Sequence, residues 1–144
     1  MKVNVMKLKP DAILPTRGSS SAAGYDLYAC PDAESVVIES GKTVKVGTGL
    51  AFEIPEGYFG AIFARSGLAA KGLRPANCVG VADSDYRGEY IVALHNDSDS
   101  AMTVAKGDRI AQLVVMPYLS VEFSETDNLA KTERGAGGFG STGK

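Results

Sequence analysis

The 144-residue chain has no tryptophan, one histidine, His95, and only two cysteines, Cys30 and Cys78. A lone histidine and two such cysteines match no metal-ligand spacing, and two thiols are too few for a disulfide framework, so a zinc module and a disulfide-rich secreted scaffold are both excluded. No run of lysine or arginine occurs, and 15 basic against 17 acidic side chains leave a net charge of -2. Tracking a phosphate backbone needs a basic excess, so no nucleic-acid partner is expected. There is also no uninterrupted apolar stretch of membrane-spanning length, and the opening MKVNVMKLKP alternates apolar with polar residues where a signal peptide would carry a hydrophobic core. A soluble, cytoplasmic protein without a membrane partner is expected.

What the chain does contain is β-type sequence. Its length suits one domain that buries about two-thirds of its unfolded surface in a single core. Apolar residues make up 44% but aromatics only 8%, which implies a core of Val, Ile, Leu and Ala and favours sheet over helix. Short β-type runs recur: Val3 to Leu8, Val36 to Ile38, Thr43 to Val46, Leu50 to Ile54, Tyr58 to Ala64, Tyr90 to Leu94, Ala101 to Val104, Ile110 to Met116 and Val121 to Phe123. Between them lie turn signals at Pro55 to Gly57, Asp83 to Asp85, Asn96 to Asp99 and Lys106 to Asp108. The expectation is an all-β, jelly-roll-like barrel or sandwich. It carries one short helix over Ser66 to Lys71, with Ser66 as N-cap and Gly72 as its stop.

After Phe123 the pattern becomes polar, and from Arg134 to Gly143 half the positions are glycine. A division follows into a β body over 1–123, an arm over 124–133 and a flexible glycine-rich lid over 134–144. Ordering backbone costs roughly 1–2 kcal/mol per residue, so fixing the tail costs on the order of 10 kcal/mol that outside contacts must supply. One reading is a mobile terminus. The other is a clamp for a nucleotide, because the tail offers close backbone N–H groups, two hydroxyls, a guanidinium and one flat ring.

Two further segments allow both a structural and a chemical reading. Arg65 and Ser66 open the short helix, where backbone N–H groups favour a phosphate as readily as they form an ordinary capped turn. Asp83 and Asp85 stand in a turn before the strand beginning at Tyr90, as turn formers or with one of them as a general base. Tyr86 is a core ring or a platform for a sugar.

Five segments in series resemble one family, the trimeric deoxyuridine triphosphate nucleotidohydrolases (dUTPases). They are Ala23 to Ala29 (AGYDLYA), Ala64 to Gly72 (ARSGLAAKG), Gly80 to Glu89 (GVADSDYRGE), Gly107 to Leu113 (GDRIAQL) and the tail from Arg134 to Gly143. The resemblance implies a jelly-roll subunit in a homotrimer whose active sites are built at subunit boundaries. It implies hydrolysis of dUTP to dUMP and pyrophosphate, which removes dUTP and supplies dUMP for thymidylate synthesis. Mg²⁺ would be held mainly by the triphosphate and water, with no direct protein ligand.

Residue by residue, the resemblance gives Asp83 the activation of the water that attacks the α-phosphorus. Arg65, Ser66, Gly67 and Gln112 match phosphate-contacting positions. Asn77 matches the amide that hydrogen-bonds uracil, beside the backbone of a hairpin at Gly80, Val81 and Ala82, and Tyr86 matches the ring under deoxyribose. In the tail, Phe139 matches the ring stacked on uracil, and Arg134, Gly140, Ser141 and Thr142 match the triphosphate clamp. Ala82 departs from the branched aliphatic more usual in the family and is expected to loosen packing behind the hairpin. Asp26, Asp85 and Arg109 are left outside the site as structural groups. The alternatives are a dCTP deaminase of the same fold, which needs a proton-relaying carboxylate for which no glutamate of the second or third segment is placed, and a non-catalytic nucleotide-binding module.

Overall fold

The computed structural model describes residues 1–138. Eleven strands and a single helical turn occur among them: β1 Asn4–Lys7, β2 Tyr25–Tyr28, β3 Ser35–Ile38, β4 Thr43–Gly47, β5 Leu50–Glu53, β6 Tyr58–Phe63, α1 Ser66–Ala69, β7 Leu73–Pro75, β8 Val79–Ala82, β9 Ile91–Asn96, β10 Met102–Ala105 and β11 Arg109–Pro117. The all-β expectation with one short helix holds. All pairings are antiparallel, in four sheets of order β1-β5, β10-β3, β2-β11-β6-β8 and β4-β9-β7. No sheet closes on itself, so the layered form of the jelly-roll expectation applies rather than a closed barrel.

Side-chain alternation explains how the layers meet. In β9, Val92, Leu94 and Asn96 are buried while the residues between them are less so, as a strand with one face on the core requires. Leu27, Ile38, Leu50, Leu94 and Ile110 are fully enclosed, and Phe52 packs against Tyr90 with ring centroids 4.4 Å apart. Asn96 carries polar atoms into this core with partners for each: its amide donates to the carbonyls of Ile38 and Ser100 at 2.8 Å, and its side-chain oxygen accepts the Ser98 N–H at 2.9 Å.

Several boundaries differ from the sequence expectation. Strands β2, β7 and β8 lie in segments read as chemical motifs or connections, because runs of three or four residues carry too little periodicity to register. The run Val121 to Phe123 forms no strand: β11 ends at Pro117, and Val121 and Phe123 are exposed. Arg65, not Ser66, is the N-cap of α1, with extended backbone (φ -87°, ψ 127°) and no side-chain cap bond. Its carbonyl takes the N–H groups of Leu68 and Ala69. Gly72, at φ 92°, ends the turn as expected.

Candidate functional site

Strands β8 and β9 follow one another in the chain yet join different sheets, β8 pairing with β6 and β9 with β4 and β7. The stretch from Gly80 to Ala82 is therefore one wall of a splayed pair and not half of a paired hairpin, which corrects the sequence expectation. The reason is that Gly80 and Ala82 turn inward against Ile62 and Gly60 of β6, while Val92 and Leu94 turn inward from the other sheet. Where the strands diverge they enclose a cleft of about 250 Å³, lined by Asn77, Gly80, Val81, Ala82, Asp83 and Tyr86 together with Tyr90 and Ile91. Six residues singled out from the sequence thus meet in one place.

Local contacts hold the cleft open. The Asn77 side-chain nitrogen lies so near Gly80 that a β-carbon there would come within 3.4 Å of it and 3.1 Å of the Ile62 Cβ. Tyr86 N–H donates to the Asp83 carbonyl at 3.1 Å, making a tight turn. The Tyr86 ring folds back over Gly88, where a β-carbon would collide with its hydroxyl, and that hydroxyl donates to the Glu89 carbonyl at 3.0 Å. The Glu89 carboxylate accepts the Gly49 N–H at 2.7 Å and fills the space beside Gly47, which anchors the end of the loop. Asp83 is exposed, and no hydrogen bond or ion pair engages its carboxylate among the described residues. It also borders a second, larger hollow of about 860 Å³ flanked by Glu56, Phe59, Arg87 and Tyr118.

A second group forms elsewhere. Arg65 donates through Nε to Asp26 Oδ1 at 2.7 Å, and Arg109 donates through Nη1 to Asp26 Oδ2 at 3.3 Å. One carboxylate between two guanidinium groups leaves a net positive charge. Gln112 donates to the Ala64 carbonyl at 2.8 Å, immediately before Arg65, and passes close over Gly24, which has no room for a side chain. Ser66 and Gly67 are exposed in the first turn of α1, where amide groups lack intrahelical partners. Asp26 and Arg109, placed outside the site from sequence, are the groups that hold Arg65. A carboxylate within three residues of Tyr28 and an arginine three residues before Gln112 gave no signal beyond their membership of matching segments.

None of Arg65, Ser66, Gly67 and Gln112 lines the cleft. In the sheet β2-β11-β6-β8 the Asp26 strand and the cleft strand are three strand spacings apart, about 14 Å at the usual ~4.8 Å. Arg134 is also distant in its contacts, donating to the Gly137 carbonyl at 2.8 Å within the tail. Phe139, Gly140, Ser141 and Thr142 lie outside the described residues.

Ala82 is buried beside its cross-strand partner Gly60, and the Tyr90 hydroxyl lies 3.1 Å from where a Gly60 β-carbon would stand.

Comparison with known proteins adds the following. The dUTPase family model matches residues 10–143. The chain is similar to the deoxyuridine 5'-triphosphate nucleotidohydrolase of Nautilia profundicola, with 48% identity over 145 residues and full coverage of both chains. It is similar to that of Desulfitobacterium hafniense at 50% identity, covering 99% of this chain and 97% of the other. Among solved structures, the Staphylococcus bacteriophage 80alpha dUTPase with dUpNHpp superposes with a TM-score of 0.90 at 30% identity, over 99% of each chain.

Proposed function

The chain belongs to the dUTPase family, and from that premise we propose that it hydrolyses dUTP to dUMP and pyrophosphate, with Asp83 as the residue that activates water. The observation that carries the residue assignment is the cleft between β8 and β9, where Asn77, the Gly80 to Ala82 backbone, Asp83 and Tyr86 converge. At about 250 Å³ it is smaller than the ~300–1,000 Å³ of pockets for drug-sized ligands. It suits one flat ring and not a whole nucleoside triphosphate.

In this reading Asn77 and the free edge of β8 hydrogen-bond uracil, and cytosine would leave those groups unpaired. Tyr86 lies under the deoxyribose. Asp83 orients a water toward the α-phosphorus and takes its proton, a contribution of roughly 10²–10⁴-fold. Arg65, Ser66, Gly67, Gln112 and Arg134 bind the phosphates, whose charge is stabilised by guanidinium and backbone N–H groups. Phe139 stacks on the base, and Gly140, Ser141 and Thr142 complete the clamp.

Because none of the Arg65 group lines the base cleft of its own subunit, we assign the complete site to a homotrimer in which the Arg65 cluster of one copy faces the cleft of another. The body over 1–123, arm over 124–133 and lid over 134–144 are the units of that assembly. Among the described residues no group of three or more His, Cys, Asp or Glu side chains comes together, and Asp26 is already engaged by two arginines. In this reading the metal arrives on the substrate. Mg²⁺, held mainly by the triphosphate and water as the resemblance implies, would supply neutralisation of charge at the phosphoryl group. A cytoplasmic setting is part of this proposal; no helix among the described residues is long and apolar enough to cross a membrane.

Pyrophosphate release from dUTP, dCTP, dTTP and UTP tests the reading. Turnover of dUTP alone is expected, without the absorbance change that deamination of a base would bring. Asp83→Asn should lose at least 10²-fold in kcat; retained turnover would assign the base elsewhere.

A further inference from the structure

The loop that carries Asp83 has little apolar anchorage. Strand β8 ends at Ala82, the next buried side chain is Tyr90, and residues 83–89 between them are all exposed or half-buried. Asp83 to Tyr86 form a turn closed by one backbone bond, from the Tyr86 N–H to the Asp83 carbonyl at 3.1 Å. A turn of this kind has two arrangements that differ by a flip of its central peptide, here the one joining Ser84 to Asp85, and the flipped form puts the third residue at positive φ. Cys78 is the one non-glycine residue at positive φ among the described residues, so Asp85 is not in the flipped form. Aspartate tolerates positive φ better than most residues, so residue type alone leaves the flip open.

Arg87 opposes it. Its Nη1 donates to the Ser84 carbonyl at 2.6 Å and to the Tyr86 carbonyl at 3.2 Å. The first of these is the oxygen of the central peptide, which a flip would turn away from the guanidinium. On the other side Nη2 lies 4.0 Å from Glu53 Oε1 on β5, and Glu53 Oε2 accepts from Asn4 Nδ2 on β1 at 2.6 Å. Both Arg87 and Glu53 have side chains 55% exposed, where an ion pair at this distance contributes little to stability. The effect of the guanidinium is directional, because its planar fork reaches two carbonyls of one turn while facing β5. Arg87 lines the same hollow as Asp83. No hydrogen bond or ion pair engages the Asp83 carboxylate among the described residues, so the backbone of its turn decides where that carboxylate stands.

We propose that Arg87 is a positioning residue that locks the central peptide of the Asp83 turn and thereby fixes the direction of the Asp83 carboxylate. The inference rests on the reading of Asp83 as the group that activates water. Without the lock the turn occupies both arrangements, and the carboxylate faces the attacking water in only part of the population. Misplacement of a reacting group by about 1 Å can cost 10²-fold in rate; a turn that still visits its productive form should lose about tenfold.

The test uses the full-length protein and measures kcat for dUTP by pyrophosphate release, Kd for the imido analogue dUpNHpp and the thermal midpoint, in Arg87→Gln, Arg87→Lys, Asp83→Asn and Asp83→Asn/Arg87→Gln. Arg87→Gln should lower kcat about tenfold and leave Kd within twofold. Arg87→Lys keeps the charge without the fork, and its kcat should stay within threefold of that of Arg87→Gln. In the Asp83→Asn background the Arg87→Gln change should alter kcat less than twofold, since the group it aims is gone. An unchanged kcat in Arg87→Gln, full recovery in Arg87→Lys, or a Kd that weakens as much as kcat falls would overturn the proposal. If Arg87→Gln does not fold, Arg87→Lys carries the measurement; failure of both to fold would make Arg87 a determinant of the fold and refute its role here. The two readings separate in the double variant. Parent-like turnover in Asp83→Asn removes Asp83 as the base, whereas loss there with a further tenfold loss in the double variant removes only the role of Arg87.

Discussion

Replacing Tyr90 with phenylalanine should change the alkaline stability of the protein by an amount the structure specifies. Burial, helped by the nearby Tyr86 and Asp83 and opposed by Arg87, pushes the Tyr90 hydroxyl up to about 12 from the ordinary 10.0. The folded state therefore holds this proton more tightly than the unfolded chain does. Its contribution is fully present below pH 10 and is lost as pH rises from 10 to 12. Two pK units correspond to about 2–3 kcal/mol per subunit. Lys9 and Lys106, both raised by hydrogen bonds to carboxylates, lose stabilisation in the same alkaline range. The quantity to measure is therefore the difference between the two proteins, in which the lysines cancel. Urea unfolding at fixed protein concentration, at pH 8 and at pH 11.5, gives it. At pH 8 the phenylalanine variant should be as stable or more stable by about 1 kcal/mol, because a buried hydroxyl without a partner is gone. At pH 11.5 the advantage should widen by about 2 kcal/mol. Parallel stability in the two proteins across this range would show that the hydroxyl is hydrated or paired, and the buried environment assigned to it would be wrong.

Three other perturbations follow from the site. Asp26→Asn removes the acceptor between Arg65 and Arg109; with Asp26 at 14% and Arg65 at 25% side-chain exposure, the loss should fall between surface and buried pairs, about 2 kcal/mol, and a raised KM for dUTP should accompany it in steady-state assays. Gly88→Ala forces the Tyr86 ring off the Glu89 carbonyl, so kcat/KM for dUTP should drop and the preference over UTP narrow while the thermal midpoint stays near that of the parent; unchanged discrimination would free Tyr86 from the sugar site. Truncation after Glu133 should abolish most turnover and leave the oligomer intact by size-exclusion chromatography, and an unchanged kcat would remove the tail from the mechanism.

Several features of the site could be read from sequence because they depend on backbone demands that residue type alone expresses. Gly72 stops α1 where its φ is 92°, and Gly57 and Gly107 take φ of 81° and 85° in turns read from Pro55 to Gly57 and Lys106 to Asp108. The segment from Asn77 to Tyr86 is legible as chemistry through its resemblance to the family, since its Asp and Gly residues taken alone serve a turn equally well. Tyr90 was not: it read as the first residue of a strand, and only the neighbouring sheet makes it a buried ring with an unpaired hydroxyl.

By itself the sequence determined an all-β body with one helical turn, the order of the five segments and the chemical inventory of the site, because turn chemistry and side-chain type are local properties. Tertiary structure alone decided that β8 and β9 part to make a cleft, that Asp26 and Arg109 hold Arg65, and that Tyr90 is buried against Phe52. Those outcomes depend on which distant strands pair and which side chains then share one enclosed volume, and close packing settles that only when the sheets are assembled.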